Sequence, residues 1–454
     1  MSKTLFIPVF QSFVSRNILN TGILDELLVR GAKVVLFVPP AKKDFYKSVY
    51  NRKNIFIETF DADSGKGKRE QLFKSLSLLL VSTNAMRFRK IKMKQTGGGT
   101  IKYLYQRSIT AVFGNIKLVK RVFRWFDFNF NNPDAFVKYF EKYSPHVVFS
   151  PDVFGAGDIF ILKSAKKHGV RTVGMVASWD NNTTKGLMRL MPDVLVVQNE
   201  IIKEESVKIQ TVPESIIRVS GIAHYDYYKG YKPIPREDFF KKLGGIPPKK
   251  KLVLFSPAGD KFISTDWQIC EILRHAIEKG ELPQDIIIII RIHPTNPVNL
   301  DKFKTNENFI IEKPGISFAN MGDKKNELDK ESLHHLLDTL HHSELVINVV
   351  SSLVIDAAVL DKPVITIGFE GWESRVPFGS SVKRYHSDEN MAKLLAIGGT
   401  PIVKNEKELI EQINTYLKYP EKDKSGREKI VEKQCWRLDG KAKFRIADVI
   451  MSNN

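Results

Sequence analysis

The reading of the fold turns on residues 345–367, LVINVVSSLVIDAAVLDKPVITI. Leu345 to Val349 is a mostly apolar run of strand length, the pattern of a strand covered on both faces. Two serines lead into a helical stretch from Ser352 to Leu360, and Lys362-Pro363 opens a second apolar run, Val364 to Ile367. Strand, helix and strand in so few residues predict a parallel crossover unit. The alternation continues upstream in Leu252 to Phe255, a helix over Trp267 to Glu278, the run Ile286 to Ile290 and a helix over Leu333 to Leu340. It also fills the first half. Thr4 to Pro8, Lys33 to Val38, His146 to Ser150, Arg171 to Val176 and Val194 to Val197 read as strands, with helical spacing from Ile18 to Leu28 and near Phe160 to Lys167. The expected class is α/β: two parallel sheets with helices on both faces, joined by a proline- and lysine-rich stretch from about Tyr227 to Lys251.

The chain has 454 residues, 43% of them apolar, which suits two or three packed domains. Cys270 and Cys435 are too few for a disulfide framework and stand at no metal-ligand spacing. The start, MSKTLFIPVFQSF, lacks the form of a signal peptide, and no apolar run reaches the roughly 18 residues that span a bilayer. A cytoplasmic chain is expected.

Its formal charge of +19 is unevenly spread. Between Gln71 and Phe126 there is no acidic residue, while twelve basic ones alternate with aliphatic and aromatic side chains. That mixture suits an anionic membrane surface. Arg87, Arg89, Lys90, Lys92, Lys94, Lys120, Arg121, Arg124 and Trp125 are the expected membrane-binding residues, at the inner face of the cell membrane. A solvated helical face is the plainer reading. Nucleic acid is not expected as a partner, because no recognition fold accompanies the charge.

Ligands of open parallel sheets bind beyond the carboxyl ends of the strands, and two such halves place a cleft between them. After Leu345 to Val349 come Ser351 and Ser352, hydroxyls at a helix start suited to phosphate or to capping, with Asp356 in the helix. Arg291 and His293 follow the isoleucine run, and Ser256 and Gly259 follow Leu252 to Phe255. In the first half, Arg171 to Val176 runs into a polar loop holding Ser178, Trp179, Asp180, Asn181 and Lys185. Asp180 is placed to act as a base or as a turn cap. Arg16 and Asn17 precede a helix near the first strand.

Several of these residues carry a resemblance. Ser178-Trp179-Asp180-Asn181 with Lys185-Gly186, Pro192-Asp193-Val194, Val219 to Ala223 followed by Asp226, Arg291-x-His293-Pro294, Ser351-Ser352 with Asp356 and Lys362-Pro363, and Asp439-Gly440-Lys441 resemble GT-B-fold glycosyltransferases related to CDP-glycerol glycerophosphotransferases. The likeness runs from about residue 145 onward, with Arg16-Asn17 a fainter match. It implies a GT-B fold of two Rossmann-like domains facing a central cleft. Residues 1–232 would form the acceptor side with the basic segment 71–126, residues 233–425 the donor domain, and residues 426–454 a helix returning to the first domain. It implies transfer of a sugar or polyol phosphate from a nucleotide-activated donor to a glycan or lipid-linked acceptor, without metal or other cofactor. Ser256, Gly259, Arg291, His293, Ser351, Ser352 and Asp356 would hold the donor, and Arg16, Asn17, Ser178, Trp179, Asn181 and Lys185 the acceptor. Asp180 is the first choice of base, Asp152 the second, with His293 also catalytic. Asp356 stands where some relatives carry Glu, and the segment 71–126 has no counterpart. A UDP-sugar 2-epimerase and a non-catalytic membrane- or glycan-binding adaptor are the alternatives on the same fold. Asp61-Ala62-Asp63, Gly97-Gly98-Gly99 and the histidines at 334–335 and 341–342 resemble metal or phosphate motifs but lack their companions. His224 is a further residue for the cleft.

Overall fold

The computed structural model describes residues 3–62, 67–131, 135–293, 296–318, 326–349, 351–372 and 375–452. Asp63, Pro294 and Val350, which belong to motifs named above, lie outside these. The chain forms two compact units, Met1–Asp226 with Gln434–Asn454, and Tyr227–Lys433.

The first unit is built on β1 (Thr4–Pro8), β2 (Lys33–Val38), β3 (Ile55–Thr59), β4 (Val147–Ser150), β5 (Arg171–Met175), β6 (Val194–Val197) and β7 (Ile217–Val219). They pair in the order β3-β2-β1-β4-β5-β6-β7, all parallel. Alternate residues feed opposite faces, as the two-residue period of a strand requires. Leu5 and Ile7 join Val34, Leu36 and Val38 on one side, while Phe6 joins Val35 and Phe37 on the other. The terminal helix Ala442–Met451 completes the first of these cores with Ala442, Ile446, Ala447 and Ile450. The single helix expected over 426–454 is therefore two. Lys424–Cys435 is a separate helix that begins in the second unit.

Among the described residues between β3 and β4, the helices Lys68–Leu79, Asn84–Met93, Thr100–Phe113 and Lys117–Phe130 form an insertion ahead of the helix Val137–Tyr143 that leads into β4. A buried ionic network fastens them to the sheet. Arg189 reaches Glu70 through two bonds of 2.5 and 2.7 Å and Asp127 through two of 2.9 and 2.8 Å. Lys163 donates to Asp127 Oδ1 and to the carbonyls of Asp127 and Asn131, each at 2.8 Å. All four charged side chains are almost wholly buried. Burial works against the Asp127 carboxylate, but Arg189 and Lys163 hold it below the ordinary range. Burial lowers the Lys163 ammonium to about 8 despite the pull of Asp127.

The second unit holds β8 (Lys251–Ser256), β9 (Ile286–Arg291), β10 (Phe309–Glu312), a short antiparallel pair β11 (Ile316–Ser317) and β12 (Asn326–Glu327), then β13 (Leu345–Asn348), β14 (Val364–Ile367) and β15 (Ile402–Val403). Its main sheet runs β10-β9-β8-β13-β14-β15, again all parallel. Each main sheet reverses its direction of growth once, between β1 and β4 and between β8 and β13, the places where doubly wound sheets open to ligands.

Candidate functional site

In the second unit the ends of β8, β9 and β13 carry the residues expected for a donor. Ser256 closes β8 opposite Asn348 of β13. The turn beyond it needs a glycine: Gly259 has φ +88°, and a Cβ there would lie 2.8 Å from the Asn296 carbonyl oxygen. The Gly259 amide donates to Asp266 Oδ2 at 2.7 Å, holding the loop to the Asp266–Glu278 helix. Ser351 Oγ accepts the Leu353 amide at 3.1 Å, so it caps the Leu353–Val359 helix, where Asp356 is buried. His293 is exposed beyond β9 and bridges to Asn296. Arg291 ends β9 in a 3.1 Å ion pair with Glu312 of β10, which also meets His335 at 2.8 Å, so its charge is already matched within the sheet edge.

Two polar residues here escaped the sequence reading. Asn348 is fully buried at the end of β13, and its side-chain amide makes no hydrogen bond among the described residues. Asp266 lies beneath the β8 turn, where burial and then the nearby Asp260 and Glu370 carboxylates push its carboxyl up to about 7. The folded protein thus binds a proton at Asp266 that the unfolded chain releases near pH 4. That contribution to stability is present below pH 4 and is lost as pH rises toward 7. Asp266→Asn is expected to melt several degrees above the parent at pH 8 and close to it at pH 4; equal melting at pH 8 would contradict the raised carboxyl.

In the first unit, Arg16 and Asn17 follow β1 in a π-helical turn, with Arg16 Nε donating to Asn17 Oδ1 at 2.8 Å. Asn17 lines a small pocket at the strand ends with Phe13, Pro151, Met175, Gln198 and His224. Burial, and secondarily the Arg16 charge, keep the His224 ring well below its ordinary pKa, so it is neutral at pH 7. Beside this pocket three carboxyls and one amine converge. Asp152 and Asp158 both crowd Gly155, where a Cβ would lie 2.6 Å from Asp158 Oδ2 and 3.3 Å from Asp152 Oδ2. Burial raises both, Asp158 far more, since it also faces Asp152. Asp158 accepts a bond from Ser150 Oγ at 3.0 Å, and its place in the site was not foreseen. Burial of Asp152 is countered by the Lys185 charge and reinforced by Asp180. The structure thus brings Asp152, Asp180 and Lys185 together as one electrostatic group.

Asp180 itself is engaged locally. Its carboxylate accepts Ser178 Oγ at 2.8 Å and Thr184 Oγ1 at 3.1 Å, bonds that shape the turn. Asn181 is buried in the following short helix, and Trp179 packs against the sheet core.

The family model described as CDP-glycerol:poly(glycerophosphate) glycerophosphotransferase matches residues 179–452. The chain belongs to that family. No curated protein sequence matches it significantly. Among solved structures it is similar to a glycosyltransferase from Rickettsia africae ESF-5, with 12% identity, both chains covered in full and a TM-score of 0.52. UDP-GlcNAc 2-epimerase from Neisseria meningitidis bound to UDP-GlcNAc gives 12%, full coverage of both and 0.56. UDP-GlcNAc 2-epimerase from Methanocaldococcus jannaschii gives 15%, 94% of this chain, 98% of that chain and 0.50. At such identity they establish the fold alone, the GT-B class.

Part of the glycerophosphotransferase motif set is structural. Asp226 accepts the backbone amides of Gly440 and Ala442 at 2.9 Å each, capping the terminal helix. Arg445 joins Ser220 O at 2.7 Å to Asp439 at 2.9 and 3.0 Å. The Val219–Ala223 and Asp439–Lys441 motifs are therefore two halves of one clasp.

The basic segment precedes the matched region, and three of its expected membrane contacts are corrected. Lys120 donates to Ile209 O at 2.7 Å, and Arg124 donates to Met188 O, Gln210 O and Thr211 Oγ1. Lys90 is buried against Thr110. These cations serve the carbonyl and hydroxyl groups that the insertion covers. Arg87, Arg89, Lys94, Arg121 and Trp125 are exposed, and Lys92 is half-buried.

Proposed function

We propose that this glycerophosphotransferase-family chain moves a polyol phosphate or sugar from a nucleotide-activated donor to a hydroxyl of a glycan or lipid-linked acceptor. The observation that carries the reading is the family match across the whole second sheet and its strand ends. Hydroxyls of Ser351 and Ser352 and the imidazole of His293 would receive the phosphate charge as the nucleotide leaves. On the acceptor side Asp152 is the stronger base, because Asp180 is committed to Ser178 and Thr184. In phosphoryl transfer the acceptor oxygen would give its proton to Asp152 and bond to phosphorus, while the bond to the nucleotide phosphate breaks with its electrons. No step in the proposal needs a metal.

The test is turnover of CDP-glycerol and UDP-sugars with and without an acceptor polymer. Nucleotide release that requires acceptor supports the reading; interconversion of a free UDP-sugar without acceptor would replace it with the epimerase, and absence of nucleotide binding by calorimetry with the adaptor. Ser351→Ala/Ser352→Ala is expected to lower kcat/KM for the donor about 10–100-fold, the scale of one or two charge-assisted hydrogen bonds, with melting lowered by only the few degrees that loss of the Ser351 Oγ bond to Leu353 costs. Unchanged turnover would remove both serines from the site.

A further inference from the structure

We infer that the Asp266 carboxyl is a latch that positions the β8 turn, Ser256 to Gly259, for the donor, and that loss of its proton weakens the site. Its bearing on the donor rests on the transfer reaction proposed above. Asp266 begins the Asp266–Glu278 helix, yet its carboxyl serves the turn. Oδ2 accepts the Gly259 amide at 2.7 Å, and the Ala258 amide bonds to the same carboxyl. The residue is 1% exposed, and Oδ1 makes no hydrogen bond among the described residues. The turn is also clamped from its far side. The Asp260 amide donates to Pro297 O at 3.0 Å, and Asp260 Oδ2 accepts the Asn299 amide at 2.8 Å. The loop after β14 joins the same helix start, where the Trp372 amide donates to Gln268 Oε1 at 2.7 Å. The loops that follow β8, β9 and β14 are thus fastened beside one buried carboxyl.

The charges that act on that carboxyl are negative: Asp260 from the turn and Glu370 from the loop after β14. Glu370 is held in place by the Val382 amide at 2.5 Å, and Lys383 acts on Glu370. On the same helix stands the Cys270 thiol, which burial keeps protonated. A protonated Asp266 accepts the turn amides without adding a third negative charge, whereas an ionised one is buried among its own kind. If the turn swings open, water reaches the carboxyl, which then ionises near its ordinary value of about 4. Opening is therefore rarest below pH 4, grows about tenfold per pH unit as pH rises toward the closed-state value of about 7, and levels off above it. A bound donor adds the fixed negative charge of its diphosphate and so keeps the proton on Asp266 to higher pH. By reciprocity, donor affinity falls as pH rises above about 7.

The experiment follows amide exchange of the peptide 256–263 in the full chain from pH 5 to 8, corrected for the intrinsic rate, together with CDP-glycerol affinity at pH 7 and 8. In the parent, protection is expected to fall about tenfold per unit from pH 5 to 7, and Kd to rise up to about tenfold from pH 7 to 8. Asp266→Asn keeps an oxygen for the turn amides and never ionises, so both quantities should stay constant over these ranges. Asp266→Ala has no acceptor and should bind CDP-glycerol about tenfold more weakly at either pH. Protection that ignores pH in the parent, the same pH dependence in Asp266→Asn, a parental Kd equal at pH 7 and 8, or full affinity in Asp266→Ala would each overturn the latch. Exchange as expected with CDP-glycerol bound by neither parent nor Asp266→Asn would support the latch and overturn the transfer reaction instead.

Discussion

Asp152→Asn is expected to cut turnover by about 10²–10⁴-fold, the range for loss of a positioned general base. The donor KM should change little, since the residue lies in the other unit from the residues proposed to hold the nucleotide. Stability should hold or rise, because an ionised carboxylate buried beside Asp158 is disfavoured and Asn carries no charge. Asp180→Asn, which loses a turn bond, should cost far less. The pH profile separates base from scaffold. The charge of Lys185 lowers the Asp152 pKa, so Lys185→Met should move the acid limb of kcat to higher pH. Asp180 raises it, so Asp180→Asn should move the limb to lower pH. Near-parental turnover in Asp152→Asn, or an acid limb that ignores both neighbours, would assign the base elsewhere.

Arg189→Ala is expected to be the most damaging single change to stability. Glu70 and Asp127 would remain buried with Lys163 as their sole cation in the network. Breaking a buried pair from one side costs about 3–5 kcal/mol. For a unit of this size that is roughly 6–20 °C in melting temperature. The loss should be local at first. Glu70 and Asp127 belong to the inserted helices and Arg189 to the loop after β5, so amide exchange should accelerate across the insertion before it does in β1 or β4. A shift below about 1 kcal/mol would mean that the network is solvated or readily rearranged.

The sheet interiors were legible in the sequence. Strands β1, β2, β6 and β14 lie where the apolar runs put them, because a strand covered on both faces needs continuous apolar residues. In the two main sheets the strands that went unread are β3, β7, β10 and β15, the outer ones, and the short pair β11 and β12 went unread as well. An outer strand is covered less fully, and β15 has two residues, so its apolar signal is short or diluted. Candidate residues at strand ends were legible for the same reason as the strands. Asp158, Asp266 and Asn348 were not: Asp158 and Asn348 are single polar residues next to apolar runs, and Asp266 stands at an ordinary polar helix start. An acid next to such a run is itself the signal, because it demands a partner or a proton. The insertion defeated the reading differently. The basic side chains of this segment are expected to face outward onto a membrane surface, whereas Lys120 and Arg124 face in to satisfy backbone carbonyls.

The terminal helix imposes an order on biosynthesis. Ala442, Ile446, Ala447 and Ile450 belong to the core under β1, β2 and β4, yet they leave the ribosome only after the whole second unit. A growing chain ordinarily folds its amino-terminal portion first. Here the amino-terminal sheet waits with one apolar flank only partly covered, by Ile18, Leu24, Leu27 and Tyr46, while Tyr227–Lys433 is contiguous and free to finish ahead of it. Asp226, the last residue before that contiguous stretch, is also the cap for the arriving helix. A nascent chain stalled before Ala442 would display a hydrophobic trough, and that trough is where a holding chaperone would find its target.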